Sequence, residues 1–271
     1  MKKLFTIISV LLIGTVLSAQ VVKPFKVSGF TGIDASGVYK VEVEKSSNEY
    51  LTIDTNFELM KYVEVKVKDG VLYLSLNTMA MPRSLKRNTP EIKAKVGIKS
   101  LDKVRLSGAS SLITRSNFNS DKFSIGMSGA SYAEMIGVDA FETIISISGA
   151  SKLNFSGKGK EADVEVSGAS KLIAKIDFAK ISGEFSGASS SELSGSAMNS
   201  DFEVSGATSL KAETFTSANL FISASGASRA TFGKLKEISI KASGASTIRY
   251  YGNPIVRIKE VSGASSVKQL D

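Results

Sequence analysis

Serine stands in a fixed setting in this chain. Ser-Gly-Ala-Ser begins at Ser107, Ser128, Ser148, Ser167, Ser186, Ser205, Ser225, Ser243 and Ser262, with Thr208 closing the one deviant copy. A serine beside glycine could be a nucleophile, and a glycine-rich turn could cradle phosphate. The nucleophile needs a base, and the 271 residues contain no His. That removes the Ser-His-Asp triad, the usual general base and ordinary zinc sites. A phosphate loop needs a helix N-terminus and usually a lysine, and neither follows these turns. A catalytic site is ordinarily singular, whereas these copies are equal. They read as architecture, and no catalytic residue is assigned.

Three further groups could bind. Glu165, Glu184 and Glu203 stand 19 residues apart, each two places before a tetrapeptide. Carboxylates stacked in register could hold Ca²⁺. The plainer expectation is solvent and pairing with lysines such as Lys171 across the corner. Arg83, Lys86 and Arg87 form the densest basic loop, suited to an acidic glycan or a lipopolysaccharide phosphate. Tyr132 is the outward aromatic residue that could meet a sugar. No recognition helix or aromatic stacking platform points to nucleic acid, and no cofactor is implied.

These residues must be positioned by whatever the tetrapeptide punctuates. Steps of 18–21 residues between copies mark a solenoid. The flanks alternate with period two. Ile147, Val166, Phe185, Val204 and Leu172 fall in an inward phase, with Glu165, Glu184, Glu203, Lys152 and Lys171 outward. Each coil reads as strand, tight corner, strand and a looser return. Glycine supplies the corner at Gly108, Gly129, Gly149, Gly168, Gly187, Gly206, Gly226, Gly244 and Gly263. Alanine is expected where coils crowd, and stacked serines are expected to bond along a column. The predicted fold is all-β: a right-handed, pectin-lyase-like parallel β-helix of about nine coils, roughly 40 Å long. Phe155, Phe185, Phe202 and Phe232 are expected inside it.

Residues 1–19 read as a signal peptide: Lys2 and Lys3, an apolar run from Leu4 to Leu17, then Ser18-Ala19. Without that segment the chain is not expected to span a membrane. There is no Cys, which excludes disulfides, thiolate metal sites and a lipid-modified cysteine. An exported location follows: periplasm, cell surface or outside. Residues 20–100 read as a β-rich capping segment, with the repeat β-helix over 101–271. Asp69-Gly70 between alternating runs signals a hairpin. Asn56 to Tyr62 could form a helical turn, and Asn77 to Pro90 reads as a loop. Ala35-Ser36-Gly37-Val38 faintly echoes the repeat.

The tandem corners resemble the putative auto-transporter adhesin, head GIN domain proteins common in Bacteroidetes. So do Phe30-Thr31-Gly32-Ile33-Asp34-Ala35-Ser36-Gly37-Val38-Tyr39-Lys40-Val41 and Gly70-Val71-Leu72-Tyr73-Leu74. The resemblance implies a parallel β-helix, export and a role in adhesion, and it carries over no catalytic residues. The expected protein is a non-enzymatic envelope or surface scaffold whose partner is a glycan or another envelope component. The alternatives are a carbohydrate-active β-helix enzyme, which needs carboxylates at a defined separation, and a self-assembling subunit. Charged residues in the last coil favour a monomer or weak homo-oligomer, with the short tail to Asp271 or a second molecule over its open end.

Overall fold

The computed structural model describes residues 20–271; the proposed signal peptide lies outside the described residues. The described residues form one 19-stranded sheet wound into a solenoid of about nine turns. The N-terminal part contributes β1 (Gln20–Phe25), β2 (Gly32–Gly37), β3 (Tyr39–Lys45) and β4 (Tyr50–Asn56). Helix α1 (Phe57–Met60), β5 (Val63–Lys68), β6 (Val71–Leu76), α2 (Arg83–Arg87) and β7 (Ile92–Ile98) follow. The coils begin with β8 (Lys103–Gly108), β9 (Ser111–Thr114), β10 (Phe118–Met127), β11 (Tyr132–Ile147) and β12 (Lys152–Val166). They continue through β13 (Lys171–Phe185), β14 (Ser190–Val204), β15 (Ser209–Ala224) and β16 (Arg229–Ala242). The last are β17 (Thr247–Tyr251), β18 (Ile255–Val261) and β19 (Ser266–Leu270).

Every corner glycine has positive φ, between 68° and 76°. The corners stack: the Ala169 N–H donates to the Gly149 carbonyl at 2.8 Å, and Ala188 does the same to Gly168. The crowded residue is therefore glycine. A Cβ built on Gly168 would lie 2.6 Å from the Gly149 carbonyl oxygen. The alanines point outward and are exposed, contrary to expectation. The fourth residue turns inward instead, and Ser110, Ser131, Ser151, Ser170, Ser189, Thr208, Ser228 and Ser246 are all buried. Most of their hydroxyls reach backbone carbonyls rather than one another. Ser228 donates to Val204 at 3.2 Å and Ser246 to Ala224 at 3.3 Å. Only Ser189 and Thr208 bond side chain to side chain. A hydroxyl satisfies itself more readily on a fixed carbonyl than on a rotor about 4.8 Å away.

The looser return survives in part, as register shifts between Met135 and Val138 and between Ala212 and Ser217, but the central coils lack it. β12 and β13 pair in parallel from Lys152↔Lys171 to Val166↔Phe185, around the whole coil. Ladder bonds pass through the remaining bends, so backbone groups there stay satisfied. The interior follows the predicted alternation. Ile147, Val166, Phe185, Val204 and Leu172 are buried, while the glutamates and Lys152 and Lys171 are exposed. Phe202 packs parallel to Phe232 at 6.1 Å and edge-on to Phe185 at 5.9 Å.

The N-terminal segment continues the stack. β2 lies in parallel register with β8, so Ser36 faces Ser107 and Gly37 faces Gly108. The echo in the sequence is thus one more corner, and the Gly37 carbonyl accepts from Ala109 at 2.7 Å. Beyond this rung the direction changes. β4 runs antiparallel to β7, β1 antiparallel to β4, and β5 antiparallel to β6 through the Asp69-Gly70 turn. The 77–90 segment is more ordered than a loop, since it holds α2.

At the other end, β19 extends the ladder on β17, and β18 extends it on β16. The tail to Leu270 therefore does not fold across the open end, because its backbone is committed to β17. Ile255, Val256, Ile258 and Val261 remain exposed there. Lys259 occupies the inward file of Ile222 and Ile240, a charge that discourages further strand pairing.

Three substitutions test this packing. Val166→Ala should cost about 1–3 kcal/mol through lost buried methyls. Gly168→Ala should cost more than about 2 kcal/mol, because it adds positive-φ strain to a clash with backbone. The neighbouring Ala169→Ser should change little. Urea unfolding of the three variants checks this, and a harmless Gly168→Ala would refute the stacked corner.

Candidate binding face

The strand that follows each corner presents two outward files, built by alternation and parallel register. The first runs Lys93, Lys40, Ser111, Tyr132, Lys152, Lys171 across β7, β3, β9, β11, β12 and β13. The second runs Lys95, Glu42, Ile113, Glu134, Asn154, Ile173 on the same strands. Side chains two apart on a strand share a face, so the files lie side by side.

Tyr132 is the hub. Its hydroxyl donates to Glu134 Oε2 at 2.9 Å and accepts from Asn154 Nδ2 at 3.2 Å. Lys152 Nζ lies 5.8 Å from the ring centroid, a cation–π contact from the next coil. The ring is half-buried, less open than an isolated outward tyrosine would be. Burial, then the bond to the Glu134 carboxylate, pushes its phenol above the ordinary value. The hydroxyl is therefore a proton donor at neutral pH. Asn154 Oδ1 is buried without a hydrogen-bond partner.

On the N-terminal side of Tyr132 the face sinks into a depression of about 200 Å³, with Lys40, Lys93, Lys95, Ser111, Ile113 and Arg115 in its lining. Ser111 and Ile113 are smaller than the residues around them, which leaves the space. Arg115 Nε bonds Glu42 Oε1 at 2.7 Å. Lys40 and Lys93 share the Glu91 carboxylate, and Lys40 chiefly holds that carboxyl below its usual range. The arrangement offers an aromatic edge, amide and hydroxyl groups, and four cations around a shallow floor, three of them paired with Glu42 or Glu91. It can bind a polar, partly anionic chain.

The other candidate residues lie elsewhere. Glu165, Glu184 and Glu203 do form a column, in register on β12, β13 and β14. Among the described residues no three acidic groups come together to hold a metal ion. The expected pairing with Lys171 is not formed either, because the corner sends the two side chains onto different faces. Glu165 instead accepts from Ser146 at 3.3 Å. Arg83, Lys86 and Arg87 sit on α2, exposed and outside the two files. The sequence did not single out Lys40, Lys93, Arg115, Glu134 or Asn154. Glu134 and Asn154 were findable, two places after Tyr132 and Lys152. The N-terminal residues required knowing that Gly37 lies in register with Gly108.

The pairing around Tyr132 has a spectroscopic test. In an absorbance titration, the phenol lost in Tyr132→Phe should ionise at lower pH in Glu134→Gln, since that carboxylate opposes ionisation. An unmoved titration would remove Glu134 as its partner.

Comparison with known proteins agrees with this architecture. Two crystal structures of proteins called putative adhesins, from Parabacteroides distasonis and Parabacteroides merdae, superpose with TM-scores of 0.67 and 0.66. They are 18% and 19% identical, covering 93% of this chain and 98% and 96% of theirs. A third, called a putative lipid binding protein, also from P. distasonis, has a TM-score of 0.67 at 19% identity, covering 93% of this chain and 97% of its own. At such identities the likeness establishes the fold. No curated protein gives a significant match. The family model described as putative auto-transporter adhesin, head GIN domain, matches residues 29–175 and 159–254, most of the chain, and the protein belongs to that family.

Proposed function

We propose that this chain is an exported, non-enzymatic surface scaffold that binds an acidic glycan along the face containing Tyr132. The family and its structural relatives support an adhesin-like role at a surface. Among the described residues no helix is long and apolar enough to cross a membrane. The observation that carries the reading is the file from Lys93 to Lys171, in which Ser111 alone is neither cationic nor aromatic. It places cations and one aromatic ring at the regular rise of a sheet, about 4.8 Å. An extended polyanion can follow such a file with little ordering of the protein, which lowers the cost of binding. Rings stack on sugar faces and lysines meet carboxylates or sulfates, so the face suits an acidic polysaccharide.

The scaffold acts as a monomer or weak oligomer in this reading, because Lys259 stands in an inward file at the open edge of β18. Light scattering should show a mainly monomeric species. A concentration-dependent dimer that dissociates on Val267→Pro would overturn that part.

A glycan array with residues 20–271 tests the ligand. Acidic polysaccharides should be captured, and Tyr132→Ala with Lys152→Ala should weaken capture about ten-fold or more. Release of reducing ends or unsaturated uronides, abolished by one substitution, would refute the non-enzymatic reading. Capture indifferent to Tyr132 and Lys152 would remove this face as the site.

A further inference from the structure

We infer that the N-terminal cap carries a second binding surface, a docking site for an anionic lipid bilayer. The surface is built from residues outside the two files of the Tyr132 face and does not rest on the glycan reading. It is built where α1 and the α2 segment leave the same corner of the first coil. The Asn77 N–H donates to the Tyr62 carbonyl at 2.8 Å, and Thr55 Oγ1 donates to the Glu91 carbonyl at 2.9 Å. These bonds hold the two segments side by side.

The tip is apolar and fixed. Met79 is 96% exposed, the most exposed large hydrophobic side chain among the described residues, and Phe57 on α1 is 55% exposed. The turn that presents Met79 is ordered by its own bonds. Thr78 N–H donates to the Leu76 carbonyl at 2.8 Å, and Ala80 N–H to Asn77 Oδ1 at 3.2 Å. Two residues on, Met81 is buried in the core, and Leu85 packs against it from α2. Buried Met81 on one side and half-buried Leu76 on the other thus hold out a methionine that is almost wholly exposed.

The base is cationic. Arg83, Lys86 and Arg87 are exposed, and none belongs to an ion pair among the described residues. No acidic residue occurs between Asp69 and Glu91. Glu91 is engaged by Lys40 and Lys93, and Glu58 on α1 is engaged by Lys61 at 3.1 Å. Lys61 also lies 4.7 Å from the Phe57 ring centroid. The patch therefore keeps an excess of positive charge around an apolar point.

Charge complementarity selects the occupant. Phosphates at a bilayer surface match three unpaired cations, and the acyl boundary just below accepts methionine and phenylalanine. A sugar chain would satisfy the cations but leave Met79 in water, because a thioether offers it almost no hydrogen bonding. A bilayer uses both features at once.

Vesicle flotation with residues 20–271, which include all the packing described, tests the site. Vesicles of phosphatidylglycerol and phosphatidylcholine should carry the protein at low salt, and phosphatidylcholine alone should not. Each basic side chain removed should weaken binding about five-fold, and Arg83→Gln, Lys86→Gln and Arg87→Gln together on the order of 100-fold. Met79→Ser should weaken it about ten-fold, with unchanged thermal unfolding because that side chain is free of the core. No flotation with the anionic vesicles, or flotation indifferent to the triple substitution, overturns the assignment. So would loss of acidic-glycan capture in the triple variant when vesicles are ignored throughout, which would give the loop to a sugar.

Discussion

Glycine stacked on glycine is the contact on which the rest of this molecule depends. At each corner the chain turns within one residue at positive φ, and the carbonyl of that residue accepts from the alanine of the next coil. The approach is so close that a methyl group would meet backbone, as at Gly168 over Gly149. Two requirements thus coincide at one position: a left-handed backbone and an absent side chain. Only glycine meets both. The parallel ladder then passes through the corner unbroken, and every coil takes its register from the one before it.

Fixed register makes the side chains into files. Inward files become apolar columns, such as Ile147, Val166, Phe185 and Val204. Outward files set like beside like, so three glutamates or two lysines stand in adjacent strands despite their repulsion. Exposure to water keeps that repulsion small. The same rule places Lys152 above the Tyr132 ring, where the neighbour is favourable. Electrostatics on this surface is decided by which residue the next coil brings, about 19 positions away in sequence.

Much of the fold was legible because it rests on period two and on glycine. Alternation around each tetrapeptide placed Val166 inside and Glu165 outside, and the structure agrees. The details of the corner were less legible. Gly-Ala suggested that small alanine faces the crowd, yet the turn points alanine outward and the fourth serine inward. Composition does not reveal which small residue lies under the carbonyl above it. The return strands were missed because bends inside β12 or β14 carry no common tetrapeptide. Among the candidate site residues, Tyr132 was found by phase alone. Its partners Glu134 and Asn154 come from two coils, and Lys40 and Lys93 come from the N-terminal segment, whose strands carry no tetrapeptide of their own. Such contacts follow from register, which the sequence marks only faintly at Gly37.

Periodicity also limits where binding can be specific. A ladder that treats every coil alike offers every coil the same backbone, so the corners cannot distinguish one ligand from another. Discrimination must come from places where the files lose their uniformity. Tyr132 is such a place, since Ser111 precedes it and Lys152 follows it in the same file. The depression beside it exists because Ser111 and Ile113 are short where their neighbours are long. The N-terminal cap is another, because α1 and α2 interrupt the strands and hold out Met79 and Phe57. The repeat supplies a rigid and nearly featureless support, and recognition is confined to its exceptions. A family built on this rod could keep its corners and change its partner by altering a few outward residues, leaving the ladder that holds them untouched.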